Sequence, residues 1–197
     1  MKLRALAVVC ACVLAFGAVL FVKSTALAGG EATWLAASDI HLDPFDRSPR
    51  ASSMGSDSNL ALLNSTLRQM KAVDPNPDVV LLPGDFFAHH FAQVSRREGG
   101  MISVSDAGTR TMQRIATAFN RAFPKAQFAI ALGNNDAPCG DYKSDFDDAF
   151  IRATARIWAP MVDRGGAAPD FVRTFSHGGY YTARLPVSGL RLVALNT

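Results

Sequence analysis

Short apolar runs alternate with amphipathic stretches along most of the chain. Residues 33–38 (TWLAAS), 78–83 (DVVLLP) and 127–132 (QFAIAL) each read as a buried strand closed by polar or glycine-containing punctuation. Between the first two, residues 58–73 place Leu60, Leu63, Leu67 and Met70 at spacings of three, four and three. That is the period of one helix face, with Asp57 or Ser58 as its N-cap. Residues 109–123 carry Met112, Ile115, Ala116 and Phe119 on one face, and residues 144–158 carry Phe146, Ala149, Phe150, Ala153 and Ile157, so both predict helices. Farther on, residues 171–175, 180–185 and 190–196 are β-like runs divided by His177-Gly178-Gly179 and by residues 186–189. They predict consecutive antiparallel strands. The alternation specifies an α/β domain without internal repeats. The last run is as apolar as a central strand, yet Thr197 follows it at once, so the chain is expected to be the N-terminal part of a larger domain.

The first 28 residues depart from this pattern. Lys2 and Arg4 precede an unbroken apolar run from residue 5 to residue 22, and Ala26-Leu27-Ala28 is a small-residue cleavage pattern before Gly29-Gly30. This is the layout of an export signal. The apolar run borders on the length of a membrane span. Cleavage and a secreted or extracytoplasmic location are expected, with retention as a membrane anchor the alternative. Residues 29–197 would then be the N-terminal part of the functional domain.

Charge changes the picture once this segment is set apart. The chain has 20 Lys plus Arg against 17 Asp plus Glu, a formal charge of +3. The surplus cations, Lys2, Arg4 and Lys23, all lie in the signal segment, so residues 29–197 are formally neutral. A nucleic-acid binder carries a basic surplus to meet phosphate charge, and that class is set aside. With 49% hydrophobic and 19% charged residues, a disordered or coiled-coil chain is excluded too. Cys10 and Cys12 fall in the signal segment, leaving Cys139 as the one cysteine of the exported part. Any disulfide partner is expected beyond this chain.

The chemistry-bearing residues stand at strand ends. Asp39-Ile40-His41 follows the first strand, Gly84-Asp85 the second, and Gly133-Asn134-Asn135-Asp136 the third. In open α/β sheets the carboxyl ends of neighbouring strands form the binding crevice, so these groups are expected to converge. Oxygen and imidazole donors of this kind suit divalent Zn, Mn or Fe. A carboxylate bridging two such ions sets up a clamp for the attacking and leaving oxygens of a phosphoryl displacement.

Taken in order, Asp-x-His, Gly-Asp and Gly-Asn-x-Asp resemble the first three blocks of the calcineurin-like metallophosphoesterase family. The stretches SDIHLDPF, GDFFAHH and GNND with Cys139-Gly140-Asp141-Tyr142 are similar to its acid sphingomyelinase-like phosphodiesterase and endopolyphosphatase branch. The resemblance implies a β-sandwich flanked by helices, α/β/β/α, with its C-terminal part missing here. It implies two divalent metal ions: Asp39 and His41 on the first, Asp85 bridging both, and Asn134 on the second. It further implies that water activated by the metals attacks phosphorus in line, with His89 as general acid at the leaving group. Asp136 retains the acidic position behind the ligands.

Two departures from the family pattern matter. Asn135 stands where the family usually has a phosphate-facing His, and an amide hydrogen-bonds but does not donate a proton as imidazolium does. The family's later Gly-His and Gly-His-x-His blocks are absent, since His177 sits in His-Gly-Gly. The resemblance therefore leaves the second metal with only Asp85 and Asn134, and the isolated chain is expected to be inactive. The implied substrate is a phosphodiester, with polyphosphate as the alternative and no nucleic acid. Membrane association is expected only through the N-terminal segment or a lipid substrate. From another class, the same scaffold could serve a non-catalytic binding or membrane-tethered protein.

Overall fold

The computed structural model describes residues 21–24, 32–140, 142–143, 149–187 and 189–196. Four strands form one sheet in the order of their appearance: β1 (Phe21–Ser24), β2 (Ala32–Ala36), β3 (Val79–Leu82) and β4 (Gln127–Ile130). β1 runs antiparallel to β2, whereas β2, β3 and β4 are mutually parallel. Strands β3 and β4 are almost wholly buried, as their continuous apolar sequences require of parallel strands covered on both faces.

Parallel neighbours need helical crossovers. Helix α1 (Leu60–Val73) links β2 to β3, and α2 (Phe91–Glu98) with α3 (Val104–Ala122) links β3 to β4. Both crossovers step in the same direction across the sheet, and α1 and α3 lie against each other. α4 (Ala149–Val162) packs on α3 and β4, followed by a 3-10 turn at Arg164–Gly166 and α5 (Phe171–Gly178). Trp158 of α4 meets Phe86 and Phe128 in the core, and Phe119 of α3 sets its edge against Phe128.

The hairpin β5 (Tyr181–Arg184) and β6 (Arg191–Ala194) pairs antiparallel, as expected from the tail. It is tied to the sheet by the buried Tyr181 hydroxyl, which accepts the Ile130 N–H at 2.8 Å and donates to the Ile130 carbonyl at 2.9 Å. One phenol thus occupies both backbone groups of Ile130 at the outer edge of β4, where a further strand would otherwise pair.

The structure corrects several local expectations. Residues 171–175 form the start of helix α5, not a strand. Phe171 and Phe175 stand one helical turn apart and both are buried beside Tyr181, while Asp170 accepts hydrogen bonds from Arg173 on the solvent side. A five-residue apolar run holds too little of either period to tell helix from strand. The α1 N-cap is Asn59, whose Oδ1 accepts the Leu62 N–H at 3.0 Å, rather than Asp57 or Ser58. Helix α3 begins at Val104, where the Ser103 side chain accepts the Asp106 N–H, five residues before the apolar face becomes visible. Helix α2 was not expected at all. α4 continues to Val162 through Pro160, while residues 144–148 of the expected helix lie outside the described residues. So do residues 1–20 and 25–28 of the expected export signal. Among the described residues no helix is long and apolar enough to cross a membrane. The described strands make one four-stranded sheet and one hairpin.

Candidate metal centre

The segments leaving β2 and β3 run side by side. Backbone N–H groups of Asp39, His41 and Leu42 donate to the carbonyls of Gly84, Asp85 and Phe86 at 3.2, 2.9 and 2.8 Å. Within this paired stretch, Asp39, His41 and Asp85 all adopt left-handed backbone geometry, with φ of 56°, 42° and 55°. Such geometry is uncommon outside glycine and costs about 1–2 kcal/mol per residue, though Asp, Asn and His tolerate it best. Three strained positions at adjacent strand ends bring three donor side chains together.

His41 Nδ1 lies 3.0 Å from the Phe87 carbonyl. A carbonyl only accepts, so Nδ1 carries the proton and Nε2 presents its lone pair. That Nε2 stands 3.8 Å from Asp39 Oδ1 and 3.7 Å from Asp85 Oδ2, and the three ligand atoms lie within 4.8 Å of one another. Ligands held roughly 2.0–2.2 Å from one ion sit about 3.4 Å apart at tetrahedral angles. Two carboxylates and a tautomer-fixed imidazole at this spacing therefore fit a divalent cation. The backbone acceptor behind His41 is the outer partner that metal-binding histidines ordinarily have.

The loop after β4 completes the arrangement. The Asn135 backbone N–H donates to Asp85 Oδ1 and its side-chain Nδ2 to Asp85 Oδ2, each at 3.1 Å. Asn135 is buried and both of these donors go to the carboxylate, whereas Asn134 is exposed. Asp136 is buried and accepts three backbone N–H groups: Phe86 at 2.7 Å, Phe87 at 3.2 Å and Gly133 at 2.8 Å. Burial pushes its carboxyl up to about 7, with the Asp85 charge adding to the rise and the three backbone donors opposing it. Asp136 thereby fastens the β3 loop to the β4 loop. The backbones approach so closely that a Cβ on Gly84 would sit 2.9 Å from Gly133 Cα.

His89 stacks on His41, with ring centroids 4.2 Å apart and planes 12° from parallel. Its Nδ1 lies 2.6 Å from Asp57 Oδ1, and the ring is more than half exposed. His41, Asp57 and His89 also satisfy a metal-ligand spacing. The pairing argues for the other trio as the metal site, because His41 Nδ1 is taken by Phe87, and Asp57 and His89 are taken by each other. His90 has φ of 54° and opens helix α2.

The family model for calcineurin-like phosphoesterase matches residues 33–196. The chain belongs to the calcineurin-like phosphoesterase family. The family implies divalent metals, and the donor set of Asp39, His41 and Asp85 is of a kind that suits them. Among relatives, the chain is 27% identical over 143 residues to "Sphingomyelinase phosphodiesterase D" of Dictyostelium discoideum, covering 73% of this chain and 28% of that protein. It is 28% identical over 181 residues to the human "Acid sphingomyelinase-like phosphodiesterase 3b", covering 81% of this chain and 37% of that protein. A Bos taurus cyclic GMP-AMP phosphodiesterase is 32% identical over 84 residues, 42% of this chain and 18% of the relative. The chain matches between 18% and 37% of the length of these relatives.

Asp57 and the Phe87 carbonyl were not found from the sequence. Asp57 has the local signature of a helix cap, and a backbone acceptor has no signature at all. The structure brings together Asp39, His41, Asp85, His89 and Asn135, with Asp136 beneath them.

Proposed function

We propose that this chain carries the first-metal half and the general acid of an exported phosphodiesterase of the sphingomyelinase-like type. The observation that carries the reading is the cluster of Asp39, His41 Nε2 and Asp85 with the His89 ring stacked against it. A divalent ion bound there would polarise a phosphoryl oxygen and lower the pKa of water.

The chain's own residues supply the rest. Asp39, His41 and Asp85 would hold the first ion, and Asn134 with Asp85 would offer two ligands toward a second. Asn135 holds both Asp85 oxygens in place. That commitment takes Asn135 out of proton transfer and leaves His89 to protonate the leaving oxygen. With its Nδ1–H donated to Asp57, His89 would give up the Nε2 proton of its imidazolium form to the leaving oxygen and return to the neutral ring. The sphingomyelinase-like relatives favour a phosphodiester over polyphosphate.

Two ligands are too few to hold the second ion firmly, so residues 1–197 bind one ion tightly and turn over aryl phosphodiesters very slowly. Calorimetric titration with Mn or Zn tests this. One tight site lost in Asp85→Asn is expected, and two tight sites per chain would contradict it. In a longer gene product that continues into Gly-His and Gly-His-x-His blocks, Asp85→Asn should abolish metal-dependent cleavage of bis(4-nitrophenyl) phosphate. Unchanged turnover there would sink the phosphodiesterase assignment.

A further inference from the structure

Away from the strand ends, α1 and α3 enclose an open groove of about 620 Å³. Its floor is apolar: Leu63 and Leu67 are buried, and Leu60, Ala118 and Ala122 are half-buried. Its rim is cationic. Arg68 and Lys71 of α1 face the groove with Arg110, Arg114 and Arg121 of α3, and all five are exposed. No carboxylate lines the groove. The single acid on either helix is Asp106, in the first turn of α3, where it is hydrogen-bonded to Ser103. Among the described residues none of the five cations takes part in an ion pair.

Residues 29–197 are formally neutral, so five unpaired cations along one groove are a local concentration of charge and not a general basicity. Like charges at this density repel, and an anionic occupant relieves the repulsion. The floor narrows the choice. An inorganic phosphate chain would neutralise the rim and leave the half-buried Leu60, Ala118 and Ala122 facing water, whereas an amphiphile satisfies both surfaces. A concave site with an apolar base and a few polar groups at its edge is the usual form of a small-ligand site, and this volume falls in that range.

We propose that the α1–α3 groove docks an anionic phospholipid, with its acidic headgroup among the five cations and an acyl chain along the apolar floor at Leu60, Ala118 and Ala122. This is a membrane-contact role for the two crossover helices, independent of the metal centre and of the N-terminal segment. It stands whether or not the metal centre is catalytic.

The test is co-sedimentation of the full chain with phosphatidylserine vesicles and with phosphatidylcholine vesicles. The readout is the part of the excess on the acidic vesicles that groove substitutions remove, because Lys2, Arg4 and Lys23 of the N-terminal segment add their own preference for acidic lipid. A clear excess is expected. Removing two groove cations in Arg110→Gln/Arg114→Gln should lower the groove's affinity for acidic vesicles about thirtyfold, at the usual contribution of a basic residue near an acidic membrane. The matched pair on α4, Arg152→Gln/Arg156→Gln, should leave the excess nearly unchanged. All four positions are exposed on helices, and circular dichroism checks that helix content is kept. Equal losses in the two pairs, or no excess on acidic vesicles, would overturn the proposal. So would displacement by soluble polyphosphate that depends on Arg110 and Arg114 while vesicle binding does not.

Discussion

Gly133→Ala is the most informative single perturbation, because its effect is set by backbone proximity. An added Cβ would lie 2.5 Å from the Asp85 backbone nitrogen and 2.7 Å from Asp85 Cγ, and it would overlap Oδ1. Non-bonded carbon atoms settle at about 3.5–4.0 Å, so the Asp85 carboxylate must retreat by roughly 0.8 Å or more. Ligand constellations work within about 0.5 Å of their productive geometry. The same movement pulls Oδ1 from the Asn135 N–H that donates to it at 3.1 Å. Loss of the outer partners of a ligand ordinarily weakens metal binding 10–100-fold, and a weakening of about that size is expected here. Calorimetric titration with Mn, alongside a urea melt of the metal-free chain, separates the site effect from any general loss of stability. An unchanged metal affinity in Gly133→Ala would refute the close approach of the two loops, and with it the role of Asp85 as a ligand fixed from the β4 side.

Other consequences can be measured on the same chain. Tyr181→Phe leaves the buried Ile130 N–H and carbonyl without the phenol that serves both, and should lower unfolding free energy by about 1–3 kcal/mol in urea. Asp136→Ala strips an acceptor from three backbone donors and should cost about 3 kcal/mol in the same assay. Metal at 100 times its dissociation constant should stabilise the wild type by about 2.7 kcal/mol against chelator, and Asp39→Ala should remove that difference. Asp57→Ala should leave metal affinity unchanged and abolish the hydrogen-bonded Nδ1 proton signal of His89. A fall in affinity would instead place the ion among His41, Asp57 and His89.

The sequence carried the parallel strands and their polar ends because buried strands and the residues that stop them leave composition marks. QFAIAL followed by GNND is legible without coordinates. The short helix at Phe171 is not legible in the sequence, because its two buried phenylalanines fit either period over so few residues. Asp57 carries the local mark of a cap, while its partner, His89, lies 32 residues away and nothing local marks the pair. Asn135 stands where the family usually has a phosphate-facing His, and its turn of two donors to Asp85 has no mark in the sequence. Contacts between loops follow from how closely β3 and β4 pack, which no single segment records.

The Asp136 fastening has a consequence for the order of events during synthesis. Asp39, His41 and Asp85 are all made early, yet the loop that fixes Asp85 arrives 50 residues after it. At roughly 5–20 residues per second, the nascent chain spends about 3–10 s with its acidic and imidazole donors exposed and their spacing unset. Only when β4 has been translated and docked does Asp136 join the two loops. A cation held before that moment meets a flexible, unselective set of ligands. The competent geometry is therefore timed to the completion of the sheet, so that folding precedes selection of the metal.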